Sequence, residues 1–572
     1  MLEAGGRRRL ALPAAVLGMS FCCHMWLVHR SGPHGDEVAR LVAGLRFLDH
    51  GRLDAYIVNP PLHSILLALP AYLAGSQSPD HWRQSVVKRP EWDLADAWIE
   101  KEPRWLWLAS LGKCWMPVLS LLFSLAMFRC VFHHSGLTAA ICSVCVLILN
   151  PVHIFASTTS TPDLATAALW CAAWMFLVQF LRWPSGSTVV CLAATVGFGL
   201  LFKHVFLIFF PALLLSALVA DLRSTFAKNG SGRPCVPKAL LLALAWCTIL
   251  GVVYQFDGVG AELGGCQFES KLFAQTSAWI NNRIPLVNSI PSPFPYVYLY
   301  GLDLQIAEME RVAPTMLDDR RSSAGLWDVL FTVVAKTPIA LCLLYIIALF
   351  AQACVVGRKK IVAIPAKMLG GIVALSSWLM LQAAFPQLPG EYRYSLPAIF
   401  ALSLLSGWSL DATGWLQHRR SWVVGGLILV AAGMVVSNLR SIHSFVNCFV
   451  ATPHQAVYLF QAPGFDTGQD AKWIADWMKG RKEVFTVDWV ATASPEAYGL
   501  SRVDANRFSP AKRQWIVSRL RLQRFGKLEQ LEPMAIERLG VTHLVLPAEL
   551  RNTIFQEAST QEWFTGIDLA SR

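Results

Sequence analysis

Residues 164–182 read LATAALWCAAWMFLVQFLR, and this stretch decides the fold class. It carries a single charge, Arg182, at its last position. An α-helix rises about 1.5 Å per residue, so the stretch spans about 28 Å. The hydrocarbon core of a bilayer is about 30 Å thick, and the stretch therefore predicts a transmembrane helix.

Similar apolar blocks recur along the first 440 residues. The chain of 572 residues is 54% hydrophobic and 15% charged, whereas soluble proteins average about 25% charged residues. A membrane barrel would show short alternating strands instead. We predict a polytopic α-helical membrane protein with about eleven transmembrane helices, at residues 10–28, 105–130, 137–157, 164–182, 187–203, 204–221, 238–256, 328–352, 361–385, 394–411 and 421–438.

Basic residues in the short loops predict the orientation of these helices, because Lys and Arg concentrate in cytoplasmic loops. The doubtful segment is 57–75, which is apolar but begins with Asn59 and a Pro-Pro pair. If it lies on the surface, every short cytoplasmic loop is basic, with Arg7–Arg9, Arg129, Arg182, Arg223, Lys228, Arg233, Lys238, Arg358–Lys360, Arg419 and Arg420. If it crosses, these clusters lie outside. We therefore expect a multi-pass protein of the cytoplasmic (inner) membrane, with a cytoplasmic N-terminus.

The net charge of +11 has the same topological explanation. The sequence lacks the pattern of basic and aromatic residues that is typical of nucleic-acid recognition. We therefore expect membrane lipids, and no nucleic acid, among the partners.

Three hydrophilic regions fall on the outer face in this topology. The first loop, 29–104, is rich in tryptophan, which favours membrane–water interfaces and predicts helices lying on the bilayer; core tryptophans of a soluble insert are the alternative. The second outer loop is 257–327. The third region is 439–572. It contains AKWIADWMKGRKEVFTVDW (471–489), which predicts an amphipathic helix and a strand, and MAIERLGVTHLVLPAEL (534–550), which predicts helix, turn and strand.

These regions divide the chain into two parts. Residues 1–440 are predicted to form the transmembrane domain, and residues 441–572 a small α/β domain on the outer face.

Carboxylates stand at the outer ends of two predicted helices. Asp36 and Glu37 follow the first span, and Asp163 follows Pro162 at a helix start. Adjacent helical residues point about 100° apart, so Asp36 and Glu37 need not share a site. Solvated interface charges, and helix capping by Asp163, are the simpler alternatives.

Cations come to the same face. Lys203 lies between two spans, Arg393 enters a span from outside, and Lys336 lies within the predicted span 328–352. A buried Lys needs a partner, and an anionic ligand is one candidate. Snorkelling to the interface is the alternative for Lys203.

Carboxylates and cations together suit the transfer of a sugar from a lipid phosphate. Lys and Arg hold the phosphate and neutralise the leaving charge. A carboxylate takes the proton of the acceptor hydroxyl, or holds a metal ion that activates it.

Six motifs occur in order along the chain: GDE (35–37), PPLHSILLALP (60–70), STPD (160–163), FK (202–203), AKTP (335–338) and RYSLP (393–397). With these motifs and this topology the chain resembles the GT-C superfamily of polyprenyl-phosphate-sugar glycosyltransferases. It most resembles bacterial relatives of the dolichyl-phosphate-mannose protein mannosyltransferases and lipid A aminoarabinose transferases. DTGQDAKWIADWM (466–478) resembles their DWGQDL-type segment, and SPEAYGL (494–500) its continuation.

The resemblance implies a role for each residue. Asp36 is expected to be the catalytic carboxylate, Glu37 its motif partner and Asp163 the second acidic residue of the cavity. Lys203 and Arg393 are expected to contact the donor phosphate, with Tyr394 shaping the site and Lys336 as a further candidate. A divalent metal ion held by Asp36 and Asp163 is the alternative to direct proton transfer.

The implied reaction is an inverting transfer from a polyprenyl-phosphate-linked sugar to a lipid, glycan or protein acceptor. The chain departs from the pattern at Asn59, where the family often has His or Lys, and at Thr467, which replaces Trp. A catalytically inactive scaffold, and a transporter or flippase of lipid-linked sugars, are the other functions that the sequence leaves open.

Overall fold

A computed structural model gives the structure of the protein. It describes residues 2–81, 89–226, 234–262, 268–283, 291–311, 326–358, 364–384, 392–447, 470–479, 481, 484–487, 495–498, 500–502, 513–518, 528–535, 537–539, 543–547 and 567–571.

Helices make up most of the described structure. They are α1 (Leu2–Arg30), α2 (Glu37–His50), α3 (Leu62–Leu73), α4 (Pro90–Lys101), α5 (Trp105–Lys113), α6 (Trp115–Ile148), α7 (Pro151–Thr158), α8 (Asp163–Arg182), α9 (Gly186–Phe202), α10 (Phe209–Phe226), α11 (Val236–Val253), α12 (Lys271–Arg283), α13 (Tyr296–Arg311), α14 (Leu326–Ala335), α15 (Ile339–Arg358), α16 (Ala366–Ala384), α17 (Leu396–Ala412), α18 (His418–Ser437), α19 (Ala471–Met478) and α20 (Leu528–Leu531). Short 3₁₀ helices include His204–Ile208, Tyr392–Ser395 and Leu439–Ser444.

Eight helical segments of the described chain are long and apolar enough to cross a membrane, which confirms the predicted polytopic helical class. They are Ala11–Arg30, Trp105–Ile148, Asp163–Arg182, His204–Leu222, Val236–Val253, Ala366–Ala384, Arg393–Ala412 and Arg420–Ser437. The apolar helices Gly186–Phe202 and Ile339–Cys354 are shorter. The predicted count of about eleven differs because it includes these two and counts the long segment twice.

The long segment Trp105–Ile148 bends within α6 at Gly136. The backbone there has φ 80° and ψ −174°, a conformation that glycine adopts readily because it has no Cβ. Glycine at this position therefore allows one sequence of 44 residues to turn between the two predicted spans 105–130 and 137–157.

Two predicted spans are interrupted in the structure. The span 137–157 is divided because α6 ends at Ile148 and α7 begins at Pro151, where the side chain of Asn150 accepts a hydrogen bond from the Val152 N–H. The span 328–352 is divided because Pro338 has no N–H to continue a helix. Lys336 consequently lies in the connection between α14 and α15, and not within a span.

The first outer loop folds into three helices, α2, α3 and α4. α3 has 12 residues and rises about 18 Å, which is too short to cross about 30 Å of hydrocarbon. The segment 57–75 therefore forms no spanning helix, as predicted. Trp98 and Trp105 are buried whereas Trp92 and Trp107 are exposed, and the position of these helices on the bilayer stays a prediction.

The C-terminal region contains α19 and a six-stranded mixed sheet. The strands are β1 (Val484–Val487), β2 (Leu500–Arg502), β3 (Arg513–Ser518), β4 (Glu537–Leu539), β5 (His543–Pro547) and β6 (Ile567–Ser571), in the order β2-β6-β1-β3-β5-β4. β1 and β3 are parallel, and the other pairs are antiparallel. The predicted helix and strand of 471–489 and the strand in HLVLP are confirmed.

The helix predicted around residues 534–540 is wrong. The short helix α20 and a 3₁₀ turn, Glu532–Met534, precede β4, and β4 itself pairs with β5. Pairing with a neighbouring strand supplies the backbone hydrogen bonds that a helix would make internally, and such tertiary contacts override local propensity.

A second hydrophobic core, here called the outer core, joins this sheet to the first outer loop. Apolar residues of α2, α3, α4 and α5 pack with residues of α19, β1, β3 and β5, including Val38, Leu41, Ala68, Trp98, Ile474, Met478, Phe485, Ile516 and Val545. The Trp105 indole N–H also donates to the Ala497 carbonyl at 3.2 Å. The division of the chain at residue 441 stays a prediction, and the two parts share this core.

Candidate active site

Asp36 immediately precedes α2, at the end of the connection from α1. Its side chain is 32% exposed, so a ligand can reach it. Arg40 lies one helical turn later, which is the spacing at which side chains of a helix meet. The Arg40 guanidinium donates to Asp36 at 2.9 Å, to the Ser160 carbonyl at 2.7 Å and to the Tyr56 hydroxyl at 3.1 Å.

Positive charges surround the Asp36 carboxylate. Burial raises the pKa of this carboxyl, but the nearby charges outweigh burial and hold the pKa below its ordinary value. The charges belong to Arg40, Arg89 and Arg393. A hydrogen bond from the Trp92 side chain lowers the pKa further. Asp36 is therefore ionised at neutral pH.

Glu37 has different surroundings, as helix geometry predicts for its neighbour. Its side chain is buried and accepts hydrogen bonds from the backbone N–H groups of His34 and Ser160. The buried Lys113 ammonium lies 3.2 Å from the same carboxylate. Lys113 also donates to the Gly32 carbonyl. Through these contacts the Glu37 carboxylate joins α2, α5 and the segment before α8.

Asp163 begins α8, and its carboxylate is buried among cations. The Lys203 ammonium forms a direct ion pair with it, and the Arg393 Nε lies 4.0 Å away. Lys203 follows the end of α9, and Arg393 lies in the 3₁₀ turn before α17. Three helix ends thus meet at this point, as the sequence predicts.

Tyr394 packs against both cations of this cluster. Its ring centre lies 4.7 Å from the Lys203 Nζ and 5.2 Å from the Arg393 Cζ. Cations within about 6 Å of an aromatic face are attracted by the ring quadrupole. The ring therefore helps to hold the two side chains side by side.

Ser160 connects the segment before Asp163 to the helix that follows Asp36. Its N–H donates to Glu37, its carbonyl accepts from Arg40, and its hydroxyl lies 3.0 Å from the His63 Nε2. These contacts fix the segment before Asp163 against α2 and α3. Arg393, which contacts Asp163, also acts electrostatically on Asp36. The structure therefore brings Asp36, Asp163, Lys203, Arg393 and Tyr394 into one site.

Lys336 lies in a different setting. It is buried in the connection after α14, where Asn447 donates its N–H to the Ala335 carbonyl at 2.8 Å and its side chain to the Thr337 carbonyl at 3.2 Å. His443 lies within electrostatic reach of Lys336. The structure thus places Lys336 beside His443 and Asn447.

Several residues of the site escaped the sequence analysis. Arg40 and Arg89 act on Asp36, Lys113 pairs with Glu37, and Tyr56 contacts Arg40. The spacing of four residues between Asp36 and Arg40 was a usable signal. Lys113 was also recognisable as a candidate, because it is a charged residue inside an apolar block.

The carboxylates of this site do not fit a metal ion. In the part of the chain that the structure describes, no group of three or more His, Cys, Asp or Glu side chains is arranged to hold one. Asp36 pairs with a guanidinium and Asp163 with an ammonium.

Comparison with known proteins supports the resemblance. Residues 106–250, which include Asp163 and Lys203, match the family model of dolichyl-phosphate-mannose-protein mannosyltransferases. This match confirms the predicted resemblance to the GT-C superfamily. Among curated proteins, no sequence matches the chain significantly.

Two similar solved structures are crystal structures of ArnT from Cupriavidus metallidurans. The structure bound to undecaprenyl phosphate is 12% identical, with 94% of this chain and 98% of that chain covered and a TM-score of 0.30. The apo structure is 11% identical, with 96% and 98% covered and a TM-score of 0.29.

Proposed function

We propose that this protein is a membrane glycosyltransferase that transfers a sugar from a polyprenyl-phosphate-linked donor to an acceptor hydroxyl on the outer face of the cytoplasmic membrane. The observation that carries the proposal is one site that combines an accessible, ionised Asp36 with the cation cluster of Lys203 and Arg393. The family match over residues 106–250 supports the same reaction class.

Lys203 and Arg393 are proposed to bind the donor phosphate. Asp163 balances only part of their charge, so the cluster keeps a net positive charge that suits a phosphate. The Arg393 Nε lies 4.0 Å from Asp163, and the planar guanidinium presents several donors whose geometry matches a phosphate. The ends of α9 and α17 place the cluster beside membrane-spanning helices, from which a polyprenyl chain would approach.

Asp36 is proposed to act as the base. The acceptor oxygen attacks the anomeric carbon, the bond from that carbon to the phosphate oxygen breaks, and polyprenyl phosphate leaves with the bonding electrons. The acceptor proton passes to the Asp36 carboxylate. A single displacement of this kind inverts the anomeric configuration.

The low pKa of Asp36 fits this mechanism. A weak base takes the proton late, when the acceptor oxygen has already gained positive charge. A lipid phosphate is a good leaving group, and Lys203 and Arg393 stabilise its developing charge. Asp163 acts as a positioning residue because it holds the Lys203 ammonium in place.

The proposal is tested with purified full-length protein and labelled undecaprenyl-phosphate-linked sugars. We expect the wild type to release undecaprenyl phosphate and Asp36→Asn to release at least about a hundred-fold less. An inactive scaffold would bind donor without consuming it, and a transporter would move the intact donor between leaflets of a vesicle. Mass spectrometry of envelope glycans and lipids, from cells with and without the protein, identifies the sugar and the acceptor.

A further inference from the structure

Arg40 is also held by a short chain of hydrogen bonds that begins at Asn59. The Tyr56 hydroxyl, on a ring that is 9% exposed, accepts from the Arg40 Nε at 3.1 Å and from the Asn59 side-chain amide at 2.8 Å. Arg40 in turn donates to Asp36 at 2.9 Å. The path therefore runs from Asn59 through Tyr56 and Arg40 to the carboxylate.

Helix α13 of the second outer loop rests on the start of this chain. The Gln305 amide nitrogen lies 3.5 Å from the Asn59 side-chain oxygen. One turn earlier, Gly301 packs so closely that a methyl group there would lie 2.1 Å from the Ile57 carbonyl oxygen. The backbone of α13 thus sits directly on residues 57–59.

We propose that Tyr56 and Asn59 are positioning residues. Through them, the packing of α13 on residues 57–59 controls how the Arg40 guanidinium is oriented toward Asp36. The inference rests on the proposed function, in which Asp36 takes a proton from the acceptor. When α13 packs on residues 57–59, Asn59 holds the Tyr56 hydroxyl in place. The hydroxyl then fixes the plane of the Arg40 guanidinium, which faces Asp36. When α13 is displaced, this orientation is lost.

The guanidinium is well suited to this role. It is planar, and its donors point in fixed directions, so a rotation that satisfies one acceptor moves it away from another. Arg40 is buried, and its three acceptors belong to three different segments of the chain. Removing the Tyr56 hydroxyl leaves a buried charged donor without its acceptor, which favours such a rotation.

Other groups also face Asp36 and remain after this change. Arg89 comes from the segment before α4, Trp92 from α4 itself, and Arg393 from the turn before α17. Asp36 therefore keeps part of its positive surroundings in a Tyr56 variant. We expect a partial loss of turnover, smaller than the loss in Asp36→Asn.

The kinetic test compares purified Tyr56→Phe, Asn59→Ala and Gly301→Ala with wild type, using an undecaprenyl-phosphate-linked sugar that the wild type consumes. We expect kcat to fall by about ten-fold in Tyr56→Phe, as for one hydrogen bond to a charged group, with KM for the donor changed by less than about two-fold. The acid limb of the pH profile should move to higher pH. A merely structural role would lower stability without moving that limb.

Tyr254→Phe is the matched control. Tyr254 is also buried, and its hydroxyl makes no hydrogen bond among the described residues. Its kcat and acid limb should match those of wild type. Wild-type kcat and an unmoved acid limb in Tyr56→Phe would overturn the proposal. If Gly301→Ala fails to fold, Asn59→Ala tests the same step from the loop side.

A structure determination separates this inference from the proposed function. If wild-type protein consumes no donor, the proposed function fails, and the position of Arg40 is then read directly from cryo-electron microscopy of Tyr56→Phe. A guanidinium that stays in hydrogen-bond contact with Asp36 would overturn the positioning chain. A guanidinium that has turned away would support it.

Discussion

Arg40 and Asp36 lie one turn apart on α2 and share a charge-assisted hydrogen bond of 2.9 Å. The same guanidinium binds the Ser160 carbonyl, three residues before Asp163 in the sequence. Arg40 therefore links Asp36 to the segment that leads into Asp163.

Asp36→Asn should lower donor turnover by at least about a hundred-fold, because positioned acid–base catalysis contributes about 10²–10⁴ in rate and an amide is a poor proton acceptor. Folding should be retained, because the side chain is partly exposed. Release of undecaprenyl phosphate measures the effect, and Asp96→Asn, an exposed carboxylate on α4, is the control. Retention of more than about a tenth of wild-type turnover would rule out Asp36 as the base.

Arg40→Gln should change the pH dependence of the reaction. The positive charge of Arg40 lowers the pKa of Asp36, whereas burial raises it. Without Arg40 the pKa rises, Asp36 becomes protonated at a higher pH, and the acid limb of activity moves upward. Turnover rates measured between about pH 3.5 and 8 reveal the shift. Profiles that superpose after scaling would show that Arg40 does not set the ionisation of Asp36.

Arg393→Ala should weaken donor use by about ten- to a hundred-fold, since hydrogen bonds to charged groups contribute about 1.5–3 kcal/mol. Arg393→Lys should restore only part of the loss, because an ammonium cannot make a forked contact with a phosphate. The measured quantity is kcat/KM for the donor, and Arg104→Ala, an exposed arginine paired with Glu102, is the control. Unchanged donor kinetics in Arg393→Ala would contradict the assignment.

Glu37→Gln should act on stability more than on catalysis. The change leaves Lys113 buried without its carboxylate partner, and breaking a buried ion pair costs about 3–5 kcal/mol. The double variant Glu37→Gln/Lys113→Met should recover part of that loss, because it removes the stranded charge. Thermal unfolding in detergent checks both. A stable Glu37→Gln protein that is as inactive as Asp36→Asn would instead give Glu37 a direct part in the reaction.

Cysteine labelling tests the orientation of the chain. In a background without the exposed native cysteines, Met534→Cys should react with a membrane-impermeant maleimide from outside the cell. Ser187→Cys, in the first turn of α9, should react only after permeabilisation. Both side chains are exposed. Labelling of the two positions from the same side would refute the predicted topology.

The membrane body was predictable from the sequence because burial in lipid demands long apolar helices, and these leave an unmistakable pattern. The breaks within two of the predicted spans were harder to predict. Pro338 lies inside an apolar block, and only the folded chain shows that the helix ends there. Local pattern also failed at Glu537–Leu539, whose strand depends on its partner β5.

The site was predictable as a set of residues but not as a network. Charges at helix ends marked Asp36, Asp163, Lys203 and Arg393, because charge near hydrocarbon is costly. Asp36 and Glu37 differ because distant segments of the chain bring different groups to each carboxylate. Lys113 and Ser160 are far apart in sequence and meet only at Glu37.

The outer core has a consequence for how the protein is made. Its two halves come from the first outer loop and from the last hundred residues of the chain. In the predicted topology the loop crosses the membrane early during synthesis, and the tail that completes the outer core follows last. Until then the loop's share of that core lacks the apolar partners that α19 and the sheet supply. A chain that ended after α18 would contain all eight membrane-spanning segments of the described structure but only half of the outer core.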